Sequence, residues 1–116
     1  MTITRNDPGK WLSRTVEYNG VVYVAGLTAD NRSGSMKEQT NEILRKIDAA
    51  LKKAGTDKSR LLTATVYVSD MSQKEAMNEA WIAWIDAKNP PTRATVGTVL
   101  GTPDTLVEIV VSAAKT

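Results

Sequence analysis

The stretch NPPTRATVG, residues 89 to 97, places a single arginine, Arg93, behind two prolines and ahead of a run that reads as a β-strand. A guanidinium is planar and permanently charged, and its forked donors fit a carboxylate with two parallel hydrogen bonds, which a lysine point charge does less specifically. Strand interiors disfavour charge, so Arg93 is either an ordinary strand-end residue with its head in water or an anchor for an anionic ligand. The rest of the sequence limits what such an anchor can serve. The 116 residues contain no cysteine and no histidine. This removes disulfides, thiolate nucleophiles and thiolate metal sites, and with them Ser-His-Asp catalysis, imidazole metal sites and histidine acid-base chemistry. Any chemistry falls to arginine, lysine, carboxylates, hydroxyls, backbone groups and water.

Fifteen basic and thirteen acidic residues leave a formal charge of +2, too small to advertise a nucleic-acid surface. The tightest basic group, Lys52, Lys53, Lys58 and Arg60, surrounds an expected helix end, where the macrodipole favours cations, and helix termination explains it better than phosphate binding. The opening MTITRNDPGKW lacks an apolar core of signal-peptide length, and no stretch approaches the ~20 apolar residues of a membrane span. A cytoplasmic protein without membrane contact is expected. The length suits one domain over residues 1–116, burying roughly two thirds of its unfolded surface without staples.

The elements that must position Arg93 can be read along the chain. Asn19-Gly20 between SRTVEY and VVYVAG predicts a two-residue hairpin. Residues 27 to 34 are turn-rich, and Ser35 with Glu38 forms a capping box for a helix. Met36, Thr40, Ile43, Leu44, Ile47, Leu51 and Ala54 recur at spacings of three and four on its buried face, and Gly55 stops it. RLLTATVYV predicts a strand with Leu62, Ala64, Val66 and Val68 on one side and Leu61, Thr63, Thr65 and Tyr67 on the other. Ser72 with Glu75 reads as a second capping box. It opens a helix with Met77, Ala80, Trp81, Trp84 and Ile85 on its apolar side, ended by Asn89, Pro90 and Pro91. The two tryptophans, three residues apart among core positions, read as packing rather than a stacking platform. RATVGTVL, a GTPD turn and TLVEIVVSAA complete the order ββαβαββ, with a further short strand expected at residues 2 to 5. There is no sequence repeat, although the two capped helices hint at two similar halves.

With right-handed crossovers this order lays both helices on one face of a single sheet. Val107, Ile109, Val111 and Ala113 form the more uniform apolar row and should meet the helices. Leu106, Glu108, Val110 and Ser112 are then left on the bare face, joined by Thr63, Thr65 and Tyr67 or by Val16 and Tyr18. Such a face is too apolar and too poor in lysine to meet water, so a homo-oligomer that covers it is expected.

The hairpin ending VYVAG, the capped first helix, TATVYVSDM, the second helix, PPTRATVG and VEIVVSAA resemble in order and spacing the reactive intermediate deaminases, the RidA-like or YjgF-like proteins. The resemblance runs from about Trp11 to Ala114. Its most specific element is the Pro-x-Arg strand opening Pro91, Thr92, Arg93. It implies a chorismate-mutase-like α/β fold, a homotrimer with its sheets lining a central barrel, and a small-molecule cleft between adjacent subunits. The activity it implies is hydrolysis of small enamines and imines of the 2-aminoacrylate type to 2-keto acids and ammonia. It also implies that no cofactor and no metal take part, and that Arg93 anchors the substrate carboxylate.

The rest of the site departs from those relatives. Val110 aligns with a glutamate thought to position the attacking water. Glu108, one step earlier on the same face, either serves from a shifted place or is a structural carboxylate; many relatives are acidic at that earlier position, which favours the structural role. Ala25 stands for a serine and Thr95 for a cysteine, although the Thr95 backbone N–H can still meet a carboxylate. The aromatic that closes the cleft falls at Leu12, with Trp11 beside it as a substitute lid, and Tyr18 completes the candidate binding residues. The departures suggest a divergent subfamily. They keep a second class open, a non-catalytic or regulatory trimer that binds a small carboxylate or a protein. An endoribonuclease or translation inhibitor is a minor third reading, since the chain has no histidine, no aromatic-basic stripe and near-balanced charge.

Overall fold

The computed structural model describes residues 2–115. Among these the chain forms β1 (Thr4–Pro8), β2 (Ser13–Tyr18), β3 (Val21–Leu27), α1 (Met36–Lys53), β4 (Leu61–Val68), α2 (Lys74–Trp84), β5 (Thr92–Gly97) and β6 (Val107–Ala114). The strands make one mixed sheet in the order β1-β2-β3-β6-β4-β5, antiparallel except for the β4–β5 pair at one edge. The short strand expected at residues 2 to 5 is β1, shifted to Thr4–Pro8 by its pairing with β2. The hairpin turns where Asn19-Gly20 stands, with both residues at positive φ (52° and 78°), the combination that matches the twist of the flanking strands.

One apolar core lies between the sheet and both helices. Val22 and Val24 of β3, Ala64, Val66 and Val68 of β4, and Val107, Ile109, Val111 and Ala113 of β6 meet Ile43, Leu44, Ile47 and Leu51 of α1 and Met77, Ala80 and Trp81 of α2. Both helices therefore cover the same face, and the other face is left open, with Tyr18, Tyr23 and Val96 exposed on it. The Ser35 hydroxyl accepts the Glu38 N–H and the Glu38 carboxylate accepts the Ser35 N–H, so the first capping box is present.

Three local expectations are corrected. A register shift between Leu61 and Thr63 makes Leu62 the surplus residue of a bulge, so Leu61 is 6% exposed on the helix side while Leu62 is 42% exposed. Ser72 and Glu75 do not form a capping box. The Asp70 carboxylate, a stronger acceptor than a hydroxyl, takes both the Ser72 N–H and the Ser72 hydroxyl, and it caps a 3-10 turn at Met71–Gln73 ahead of α2. The second helix also ends at Trp84 rather than at Asn89 and the prolines. Ile85 is extended, and Asp86 accepts the Lys88 N–H in a turn that competes with another helical round.

One buried polar residue ties the loops to the core. Gln39 lies within the apolar stripe of α1, one turn before Ile43, yet it is fully buried. Its amide donates to the carbonyls of Gly34 and Asp104, at 3.1 and 2.9 Å, and accepts the Leu106 N–H at 3.0 Å. Replacing it with leucine leaves those backbone groups unpaired. Gln39→Leu should cost about 2 to 4 kcal/mol in denaturant unfolding; a loss within experimental error would mean that water takes over the bonds.

The carboxylates set the acid limit of stability. Hydrogen bonds from Lys115 and then Asn6 hold Glu17 below the usual carboxylate range. The Asp30 N–H does the same for Glu42, and the Ser35 N–H and hydroxyl for Glu38. Folded values below unfolded ones give stability that is complete above the unfolded carboxylate range, roughly pH 4, and is lost as pH falls through the folded values. With no histidine in the chain, the melting temperature should stay flat between about pH 5.5 and 8 and fall below roughly pH 4. Thermal scans across that range check this, and a transition near pH 6.5 would contradict it.

Candidate functional site

Arg93 projects from β5, the parallel edge strand, beside Ala64 of β4, whose other neighbour is Val111. Ala64 and Val111 face the helices, so Arg93 does too. Thr95, next to Val66, lies on the same face. The guanidinium carbon is 5.2 Å from the centroid of the Trp81 ring, and Nη1 is 3.9 Å from the Met77 sulfur, a weak acceptor. Among the described residues no carboxylate lies within ion-pair distance of Arg93, and the Met77 sulfur is its one side-chain acceptor. Packing against α2 lowers the guanidinium pKa from its ordinary value through desolvation. The group is a cation that reaches solvent without a counterion of its own.

The other candidates lie elsewhere. Glu108 neighbours Tyr67, and Val110 neighbours Thr65, both on the open face of the sheet. Ala25 and Gly26 form a bulge opposite Val110, between the pairs Val24–Val111 and Leu27–Ile109. The Glu108 carboxylate and the Val110 side chain lie over Gly26, where a Cβ would push the carboxylate aside. Glu108 accepts no hydrogen bond and forms no ion pair among the described residues, and it borders a hollow of about 410 Å³ with Thr28, Arg32, Thr102 and Thr105. Ala25, Glu108 and Val110 are thus brought together. Tyr18 is not: it pairs with Val21 and through it with Ala114, four residues along β6 from Val110, about 13 Å away. Trp11 stands 88% exposed in the β1–β2 connection at the opposite edge from β5, about 24 Å from Arg93 by strand spacing.

Arg93 and Thr95 therefore occupy one face at one edge, and Ala25, Glu108 and Val110 the other face. A larger groove of about 440 Å³ between α1 and the first hairpin, lined by Asn6, Arg14, Lys46 and Lys53 among others, holds none of them. Sequence reasoning missed the contact of Arg93 with Trp81 and Met77; the one available signal was that Met77 and Trp81, at i and i+4, share a helix face. Among the described residues no group of three or more potential metal ligands comes together, and no helix is long and apolar enough to cross a membrane.

The architecture is that of a small α/β protein with a mixed six-stranded sheet, helices on one face and an uncountered arginine opening the parallel edge strand. Comparison with known proteins agrees. The family model described as Endoribonuclease L-PSP matches residues 2–115. A RutC family protein of Haemophilus ducreyi is 42% identical over 112 residues, covering 97% of this chain and 96% of its own length. The RutC family protein YoaB of Escherichia coli K12 is 40% identical over 114 residues, with 98% and 99% covered. A crystal structure of a YjgF family member from Neisseria meningitidis superposes with a TM-score of 0.96 at 35% identity, covering all of this chain and 97% of that one. The chain belongs to this RutC/YjgF family of RidA-like proteins.

Proposed function

We propose that the protein hydrolyses small enamines and imines of the 2-aminoacrylate type to 2-keto acids and ammonia, with Arg93 binding the substrate carboxylate in a cleft between subunits of a homotrimer. The observation that carries this reading is the guanidinium of Arg93, held against α2 with no carboxylate among the described residues to neutralise it. Such a cation accepts an external carboxylate without first breaking an ion pair. The Thr95 N–H lies two residues along the same strand as a further donor.

The chemistry asks little of the protein. The enamine tautomerises to the imine, whose C=N carbon is itself electrophilic. Water adds to that carbon as its proton passes to nitrogen. The resulting carbinolamine breaks its C–N bond while the hydroxyl proton moves to nitrogen, giving the keto acid and ammonia. A fixed carboxylate and an oriented water supply most of the gain by positioning. Glu108 is the candidate group for the water, because its carboxylate is unpaired and beside a hollow. Arg93 and Glu108 face opposite sides of one sheet, so they can share a substrate only if the edge strand of one subunit packs against the open face of another.

A binding-only trimer is favoured by one feature, the apolar Val110 and Ala25 beside Glu108, which offer no second polar group to the reaction. Ammonia release from freshly generated imines of several amino acids separates the two. Release faster than in protein-free buffer supports the hydrolase, and no acceleration with any imine leaves the binding role. Light scattering at micromolar concentration should give a mass near three chains. A mass near one chain would defeat the shared cleft.

A further inference from the structure

The geometry points to Trp81 as the residue that positions Arg93, holding the guanidinium by its face so that its edge stays free for the ligand. This rests on Arg93 as carboxylate anchor and adds what aims it. An arginine on an edge strand has many rotamers, and freezing them on binding opposes affinity. Here the guanidinium already lies 5.2 Å from the indole centroid, within cation–π range.

Stacking uses the guanidinium face, whereas a carboxylate binds the in-plane edge, so the two contacts do not compete. The Met77 sulfur at 3.9 Å steadies Nη1 without neutralising it, whereas a carboxylate in that place would close the site with an internal ion pair. Trp81 is itself fixed. It is 7% exposed, and its ring packs against that of Trp84 at 5.5 Å. The Trp84 indole N–H donates to Asp48 of α1 at 2.9 Å, and the Lys58 ammonium lies 5.2 Å from the Trp84 ring centroid. Trp81 is thus a core residue, braced by Trp84, that also serves as the platform for Arg93.

The test titrates pyruvate calorimetrically into four variants and the wild type. Trp81→Leu should weaken binding roughly 3- to 30-fold, the loss of one partly desolvated cation–π contact, and Trp81→Phe, which restores a ring face, should recover most of it. Leu51→Ala, a core truncation away from Arg93, should lower the melting temperature without changing affinity. Wild-type affinity in a folded Trp81→Leu overturns the positioning role, as does equal weakening in Leu51→Ala. Arg93→Ala distinguishes the failures: if it too binds pyruvate normally, the anchor reading falls; if it loses binding while Trp81→Leu does not, only the positioning falls. Should Trp81→Leu not fold, NMR of the wild type decides. The Arg93 Nε–H proton should be shifted upfield by the indole ring current, and a resonance at the position of free arginine overturns the stack.

Discussion

Arg93→Ala is expected to weaken binding of small 2-keto acids roughly 10- to 150-fold, the loss of one charge-assisted bidentate contact worth about 1.5 to 3 kcal/mol. The fold should survive. Arg93 is exposed on an edge strand, and its contacts with Trp81 and Met77 leave the apolar core beneath them in place. The size of the effect follows from the missing counterion. Where an arginine is paired within its own chain, a ligand must first compete with that pair; among the described residues Arg93 has no such pair. Calorimetric titration with pyruvate and its longer homologues measures this. Equal affinity in wild type and variant would return Arg93 to a plain strand-end residue.

The second large effect is a gain. If Val110 occupies the place of a water-positioning carboxylate, the wild type should hydrolyse imines slowly or with few substrates. Orientation remains, but the ~10²- to 10⁴-fold typical of acid-base help is missing, and Val110→Glu should supply part of it. Glu108, the candidate group for the water, would act from a shifted place. Residues 108 and 110 project from the same face of β6 with Cα atoms about 6 to 7 Å apart, although the Glu108 carboxylate and the Val110 side chain both come down over Gly26. A new carboxylate at 110 would carry a desolvation cost, and in the proposed shared cleft Arg93 of a neighbouring subunit would be the charge to offset it. Steady-state rates for wild type, Val110→Glu and Glu108→Gln separate the cases. A fast wild type that collapses in Glu108→Gln would assign the role to Glu108 and overturn the expectation of a gain at 110. The sequence reading favoured a structural Glu108. The structure gives that carboxylate no partner among the described residues, so no contact within one subunit adds to that reading.

Most of the fold could be read from local chemistry. Asn19-Gly20, the Ser35–Glu38 box and the apolar row Val107, Ile109, Val111, Ala113 each specify their element through contacts a few residues apart, and each is found as expected. The misreadings share a cause. At Leu62 a bulge breaks the period of two; at Ser72 a carboxylate two residues earlier is the better acceptor; at Asp86 a side-chain turn ends the helix before the prolines can. In each case a local feature, a surplus residue or a better acceptor, overrode the pattern. The site was less legible because it depends on which face a strand presents. Period-two alternation puts Arg93 and Thr95 on one side and Glu108 and Val110 on the other only after the order β6-β4-β5 and its registers are known. The two tryptophans read as packing are packing, and Trp81 also has the Arg93 guanidinium over its ring.

The proposed function stands or falls with Arg93 as the anchor of the substrate that is hydrolysed. It is tested most directly by ammonia release from 2-aminoacrylate generated in situ, measured side by side for wild type, Arg93→Ala and protein-free buffer. Release above the buffer rate is expected for the wild type, with a return to the buffer rate for Arg93→Ala. Equal acceleration by both proteins would contradict it.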